Sequence, residues 1–115
     1  MNVEILEEAR SEYRAASAWW REHRDAKALL AQEFLAAIHH LKRCPETGQV
    51  YAKRRGRVIR RWLMPKTQHH VYYRFDREKE RLVIYSVWGG RRGRSPELWT
   101  GTEKRGDLSR PSFWT

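Results

Sequence analysis

The stretch from Arg57 to Arg94, RVIRRWLMPKTQHHVYYRFDREKERLVIYSVWGGRRGR, constrains this chain more than any other. It holds three runs rich in β-branched and aromatic residues: Val58 to Met64, His70 to Phe75 and Leu82 to Trp88. Pro65-Lys66-Thr67-Gln68 separates the first two, and the charged, non-periodic Asp76 to Arg81 separates the last two. Such runs with turn-forming breaks predict a three-stranded antiparallel meander. In the middle strand Val71, Tyr73 and Phe75 share one face, and His70, Tyr72 and Arg74 share the other. One side of the sheet can therefore pack while its opposite binds.

Upstream the period changes. Val3 and Ile5 alternate with polar neighbours and predict a short first strand. Glu7 and Glu8 then open a helix, since acids suit the positive end of its dipole. Ala9, Tyr13, Ala16 and Trp20 fall on one face of it, with Trp19 beside them. The pattern lapses at Glu22 to Arg24, and Asp25 is the expected N-cap of a second helix that carries Leu30, Phe34, Ala37, Ile38 and Leu41. Pro45 ends that run. So short a joint predicts an αα-hairpin with its apolar stripes toward the sheet. Pro45-Glu46-Thr47-Gly48 reads as a turn, followed by the basic tract Lys53-Arg54-Arg55-Gly56-Arg57. The expected fold class is α+β: an N-terminal strand, then an antiparallel two-helix hairpin packed on a C-terminal three-stranded antiparallel meander. A domain over residues 1–98 precedes a loosely ordered tail, 99–115.

Charge narrows the function. The net charge is +10, yet residues 1–41 carry five bases against seven acids, while residues 42–74 carry ten bases against one acid. A field so concentrated attracts polyanions or an acidic protein. Neighbours in a strand point to opposite faces, so only one of Arg60 and Arg61 can join the basic tract; the other is expected to be edge-exposed or ion-paired. No apolar run approaches a membrane span and no basic, apolar leader opens the chain, so a cytoplasmic protein is expected. Cys44 stands alone, which excludes an internal disulfide and a cysteine-based zinc site and predicts a buried or idle thiol. The five histidines lack ligand spacing, so no metal or other cofactor is expected; His39-His40 suits the negative end of its helix.

The succession of elements resembles the ParE/RelE superfamily of toxins from bacterial type II toxin–antitoxin modules. The residues that carry the resemblance are Glu8-Ala9 with Tyr13, the helix end LKRCPETG, Arg60-Arg61, Val71-Tyr72-Tyr73, and the closing VWGGRRGRSPEL. It covers about residues 3 to 98 and implies a growth inhibitor neutralised by a cognate antitoxin, whose acidic amphipathic segment would meet Tyr13, Trp19, Trp62 and Trp88. The target or phosphate contacts fall on Lys53, Arg54, Arg55, Arg57, Arg60, Arg61, Arg91, Arg92 and Arg94.

The superfamily divides by mechanism. RelE-like members cut ribosome-bound mRNA, which needs a group to take the 2′-hydroxyl proton, cations on the phosphate and a proton for the leaving oxygen. Here the candidates are His70, Arg61 and Arg92. Relatives place a tyrosine or histidine after the arginine cluster, where this chain has Leu98 and Trp99, neither of which transfers a proton. ParE-like members poison DNA gyrase and need only a binding surface. The sequence alone therefore leans to the ParE-like subgroup, with the mRNA endonuclease as the alternative and a single-strand nucleic-acid-binding module third.

Overall fold

The computed structural model describes residues 1–89. The expected tail, 99–115, and the cluster of Arg91, Arg92 and Arg94 lie outside the described residues. The elements run β1 (Asn2–Ile5), α1 (Glu7–His23), α2 (Leu29–Arg43), β2 (Gln49–Arg54), β3 (Arg57–Met64), β4 (His69–Asp76) and β5 (Arg81–Gly89). The strands form one mixed sheet in the order β1-β5-β4-β3-β2. The chain is thus α+β, and both helices precede the run of antiparallel strands.

The expected three-stranded unit is part of a larger sheet. β3, β4 and β5 pair antiparallel in succession, β2 extends them beyond β3, and β1 pairs parallel to β5. β2 follows the expected Pro45-Glu46-Thr47-Gly48 turn and takes in Lys53 and Arg54 of the basic tract, where the sequence shows no strand. Two local features hide it. A register shift between Val50 and Ala52 breaks the alternation. The turn into β3 is only Arg55-Gly56, both at positive φ (48° and 82°), which is the two-residue geometry that matches the twist of paired strands.

The helices form as their stripes predict, with one corrected boundary. α1 carries Glu7 and Glu8 in its first turn and Arg21 and His23 in its last, each sign at its favoured pole. α2 begins at Leu29 with Ala28 as N-cap, rather than at Asp25. Lys27 and Leu29 donate their N–H groups to the Asp25 and Ala26 carbonyls in tight turns, so these residues bend the chain between the helices. Cys44 is exposed rather than buried, just past the end of α2.

Both helices lie on one side of the sheet. There Ala9, Trp20, Leu30, Ala37 and Leu41 close over Met64, Val71, Tyr73, Leu82, Ile84 and Val87. Each helix also sends one carboxylate to the sheet. Glu33 of α2 accepts from the Lys66 and Thr67 amides (2.7 and 2.9 Å) and the Thr67 hydroxyl (2.7 Å). Glu12 of α1 accepts from the Ser86 hydroxyl (2.7 Å) and the Val87 amide (2.9 Å). β1 pairs with β5 only as far as Ile84, so the helix carboxylate supplies the acceptor that the strand no longer can. Among the described residues no helix is long and apolar enough to cross a membrane.

Candidate nucleic-acid interface

The sheet has an inner face against the helices and an outer face to which neither helix contributes. A second, smaller cluster lies on the outer face: Leu6, Ile59, Tyr72, Val83 and Tyr85, with Tyr51, Ala52 and Trp88 against it. Strand register places Arg61 opposite Tyr72, and Leu63 opposite His70, on this side. Arg60 pairs with Tyr73 on the inner side.

The adjacent arginines therefore have different work. Arg60 donates from Nη1 to the Gly48 carbonyl at 2.9 Å, and the Gly48 amide donates to the Tyr73 hydroxyl at 2.9 Å. These bonds lock the turn that follows α2 onto the sheet. The approach is too close for a side chain, since a Cβ on Gly48 would meet the Tyr73 oxygen at 2.6 Å and the Arg61 carbonyl at 2.9 Å. Burial raises the Tyr73 phenol above its ordinary value, so it remains a protonated hydroxyl.

Arg61 is held in place from several sides. Its Nε donates to the Gln49 side-chain oxygen at 3.3 Å, and its guanidinium lies 5.4 Å from the centre of the Tyr51 ring. Tyr51 packs edge-on against Tyr72 at 4.9 Å. Burial raises the Tyr72 phenol, while the guanidinium of Arg61 pulls it the other way. A cation fixed by an amide and an aromatic ring keeps donors for an oxyanion and loses little ordering entropy when one arrives.

His70 stands one position along the same face, its ring 6.1 Å from that of Tyr72. Partial burial lowers its pKa first, and the positive charges of Arg61 and His69 lower it further. A neutral imidazole beside a fixed guanidinium can take a proton at neutral pH. Tyr72 and Tyr85 also bring hydroxyls to this face and are buried, whereas Tyr51 beside Arg61 is half-buried.

The remaining basic residues spread along the β2–β3 hairpin. Lys53 is exposed on β2, Arg54 and Arg57 pair where the strands meet the turn, and Arg55 is exposed in the turn itself. Arg54 and Arg57 sit at the far end of β3 from the Leu63–His70 pair. The structure thus brings Arg61 and His70 together and sends Arg60 to the other side. Sequence reasoning did not single out Tyr51 or Gln49, although Tyr72 was legible as a face-mate of His70 by parity.

The four aromatic residues expected at a protein interface do not share one surface. Tyr13 packs on Phe34 between the helices at 4.9 Å. Trp62, on the inner side, stacks on His40 at 4.6 Å. Trp19 is 43% exposed and stacks on His23. Trp88 belongs to the outer face. Among the described residues, no group of three or more His, Cys, Asp or Glu side chains is placed to hold a metal ion. No protein-family model, curated protein or solved structure matches this chain.

Proposed function

We propose that this chain is the toxin of a type II toxin–antitoxin module, built on a RelE/ParE-like plan, and that its outer sheet face acts on RNA. The observation that carries the proposal is the juxtaposition of a preorganised Arg61 with a neutral His70 on the face opposite α1 and α2. In this scheme Arg61 binds the phosphate. His70 takes the 2′-hydroxyl proton as that oxygen attacks phosphorus. The bond from phosphorus to the 5′ oxygen breaks, leaving a 2′,3′-cyclic phosphate, and the 5′ oxygen receives its proton from the new imidazolium or from water. The antitoxin would silence the protein by covering this cationic face with an acidic segment.

A second reading is a ParE-like gyrase poison. It draws on a different observation: Tyr72, the phenol next to His70 on its strand, is buried, and Leu63, opposite His70, is 43% exposed, which suits contact with a protein. Expression of the chain alone in a bacterium should arrest growth, relieved by its antitoxin. Primer extension on ribosome-bound message then separates the mechanisms. Discrete cuts that vanish in His70→Ala support the RNA-cleaving site. Intact message with an induced DNA-damage response selects gyrase, and normal growth at full soluble expression would remove the toxin proposal altogether.

A further inference from the structure

Away from the Arg61–His70 pair, a cleft of about 380 Å³ opens between the C-terminal end of α1 and the turn from β3 to β4. Trp19, Trp20 and Arg24 line one wall, and Lys66, Gln68 and His69 the other. The Arg24 guanidinium lies 4.6 Å from the Trp19 ring centre and 5.6 Å from that of Trp20. Its one hydrogen bond among the described residues is a long one, 3.3 Å from Nη1 to the His23 carbonyl. The remaining N–H edge of a cation laid on two indoles is oriented for an oxyanion before any ligand arrives.

Among the described residues the lining contains two full cations and no carboxylate, and the Glu33 carboxylate behind it is taken up by the Lys66 and Thr67 amides and the Thr67 hydroxyl. Another sizeable hollow, at the opposite end of β4, sets Glu46, Asp76 and Glu78 among its four arginines and so offsets most of their charge. The α1 cleft does not, and its mixture of indole and cation matches the two parts of a nucleotide, a flat base and a phosphate. Its position also connects it to the outer face. His69 and Gly89, which line the cleft, are cross-strand partners, and the next pair along the sheet is His70 with Trp88. Successive residues point to opposite faces, so the cleft and the His70–Trp88 pair lie on the two sides of the same end of the sheet.

We infer that this cleft is a second binding site for the RNA strand that the outer face takes, with Arg24 and Lys66 holding the phosphate of a flanking nucleotide and its base stacking on the guanidinium plane of Arg24, which Trp19 backs. The inference rests on the RNA reading given above and adds to it a required length of substrate. A strand confined to the outer face does not reach Arg24. A longer one crosses the end of the sheet and does.

Fluorescence anisotropy of the full chain with two labelled RNAs tests this, one a tetranucleotide and one of about twelve nucleotides. Both carry 2′-O-methyl groups throughout, so neither has a nucleophile to react. Arg24→Gln with Lys66→Gln is expected to weaken the longer RNA about tenfold and to leave the tetranucleotide unchanged. The salt dependence of the longer RNA should also become shallower by about 0.7, the value for the one phosphate of a single strand that the protein no longer neutralises. Arg61→Gln is expected to weaken both lengths. Both substituted residues of the double variant are exposed, and an unchanged melting temperature verifies its fold. Equal binding of the longer RNA by wild type and double variant, with Arg61→Gln still impaired, overturns the cleft assignment alone. Failure of the double variant to bind a Glu-rich amphipathic peptide, with its RNA binding intact, also overturns it and gives the cleft to a protein partner. If the wild-type chain binds neither RNA, the RNA reading falls and the cleft assignment with it.

Discussion

The two faces of the sheet are built from the same strands but use their polar atoms differently. On the inner side, Arg60, Tyr73, Glu33 and Glu12 have fixed partners, and their bonds fasten the helices and the turn at Gly48 to the sheet. On the outer side, Arg61 is steadied by side chains but keeps donors to offer, and His70 makes no hydrogen bond through its ring to the described residues. A satisfied polar group stabilises a fold; a positioned one with capacity left can bind or transfer a proton. The comparison teaches that the same residue type, one step along a strand, can serve either end.

Substitutions that cross between the faces can break this contrast. The largest effect is expected from His70→Ala, which should lower RNA cleavage by about 10²–10⁴-fold, the usual contribution of a positioned acid–base group. Its melting temperature should stay near wild type, since His70 is only partly buried. Gly48→Ala should do the reverse. The new methyl meets a buried phenol and a backbone carbonyl that cannot both yield, at a cost of about 2–4 kcal/mol in chemical denaturation. Glu33→Ala leaves two amides and the buried Thr67 hydroxyl without their acceptor, and should cost about 1–3 kcal/mol while Arg61 and His70 keep their places.

The smallest effect is one of pH. The His70 pKa is lowered in the folded chain relative to the ordinary value of 6.5. The unfolded state therefore binds the proton more readily, and His70 takes stability away as pH falls below about 6.5. His70→Gln should flatten that part of the stability profile between pH 7 and 5. An unchanged slope would mean that the imidazole is as free in the folded chain as in the unfolded one.

Much of this architecture was legible in the sequence because it follows from period. The parity of Val71, Tyr73 and Phe75 separated the faces of β4, and the stripe from Ala9 to Trp20 marked the buried side of α1. Where period failed, so did the reading. β2 carries a bulge beside Tyr51 and a basic end, so neither alternation nor apolar content signals a strand. That omission also hid Tyr51 and Gln49, which steady Arg61 from across the β2–β3 pairing. Parity stated that Arg60 and Arg61 part company but not which goes where. That choice depends on register, and register is set by the Arg55-Gly56 turn and by the fit of Tyr73 against Gly48. The four aromatics assigned to one partner surface show the limit of residue type as a guide, because their elements send them to different sides.

The most direct test is the pair Arg60→Gln and Arg61→Gln, with melting temperature and RNA cleavage measured on both. Two faces of separate purpose predict that Arg60→Gln loses about 1–2 kcal/mol of stability with its bond to the Gly48 carbonyl and still cleaves as well as wild type. Arg61→Gln should melt normally and cleave at a small fraction of the wild-type rate. If the two variants behave alike, or if Arg60→Gln is the one that loses cleavage with its fold intact, the division between the faces is wrong.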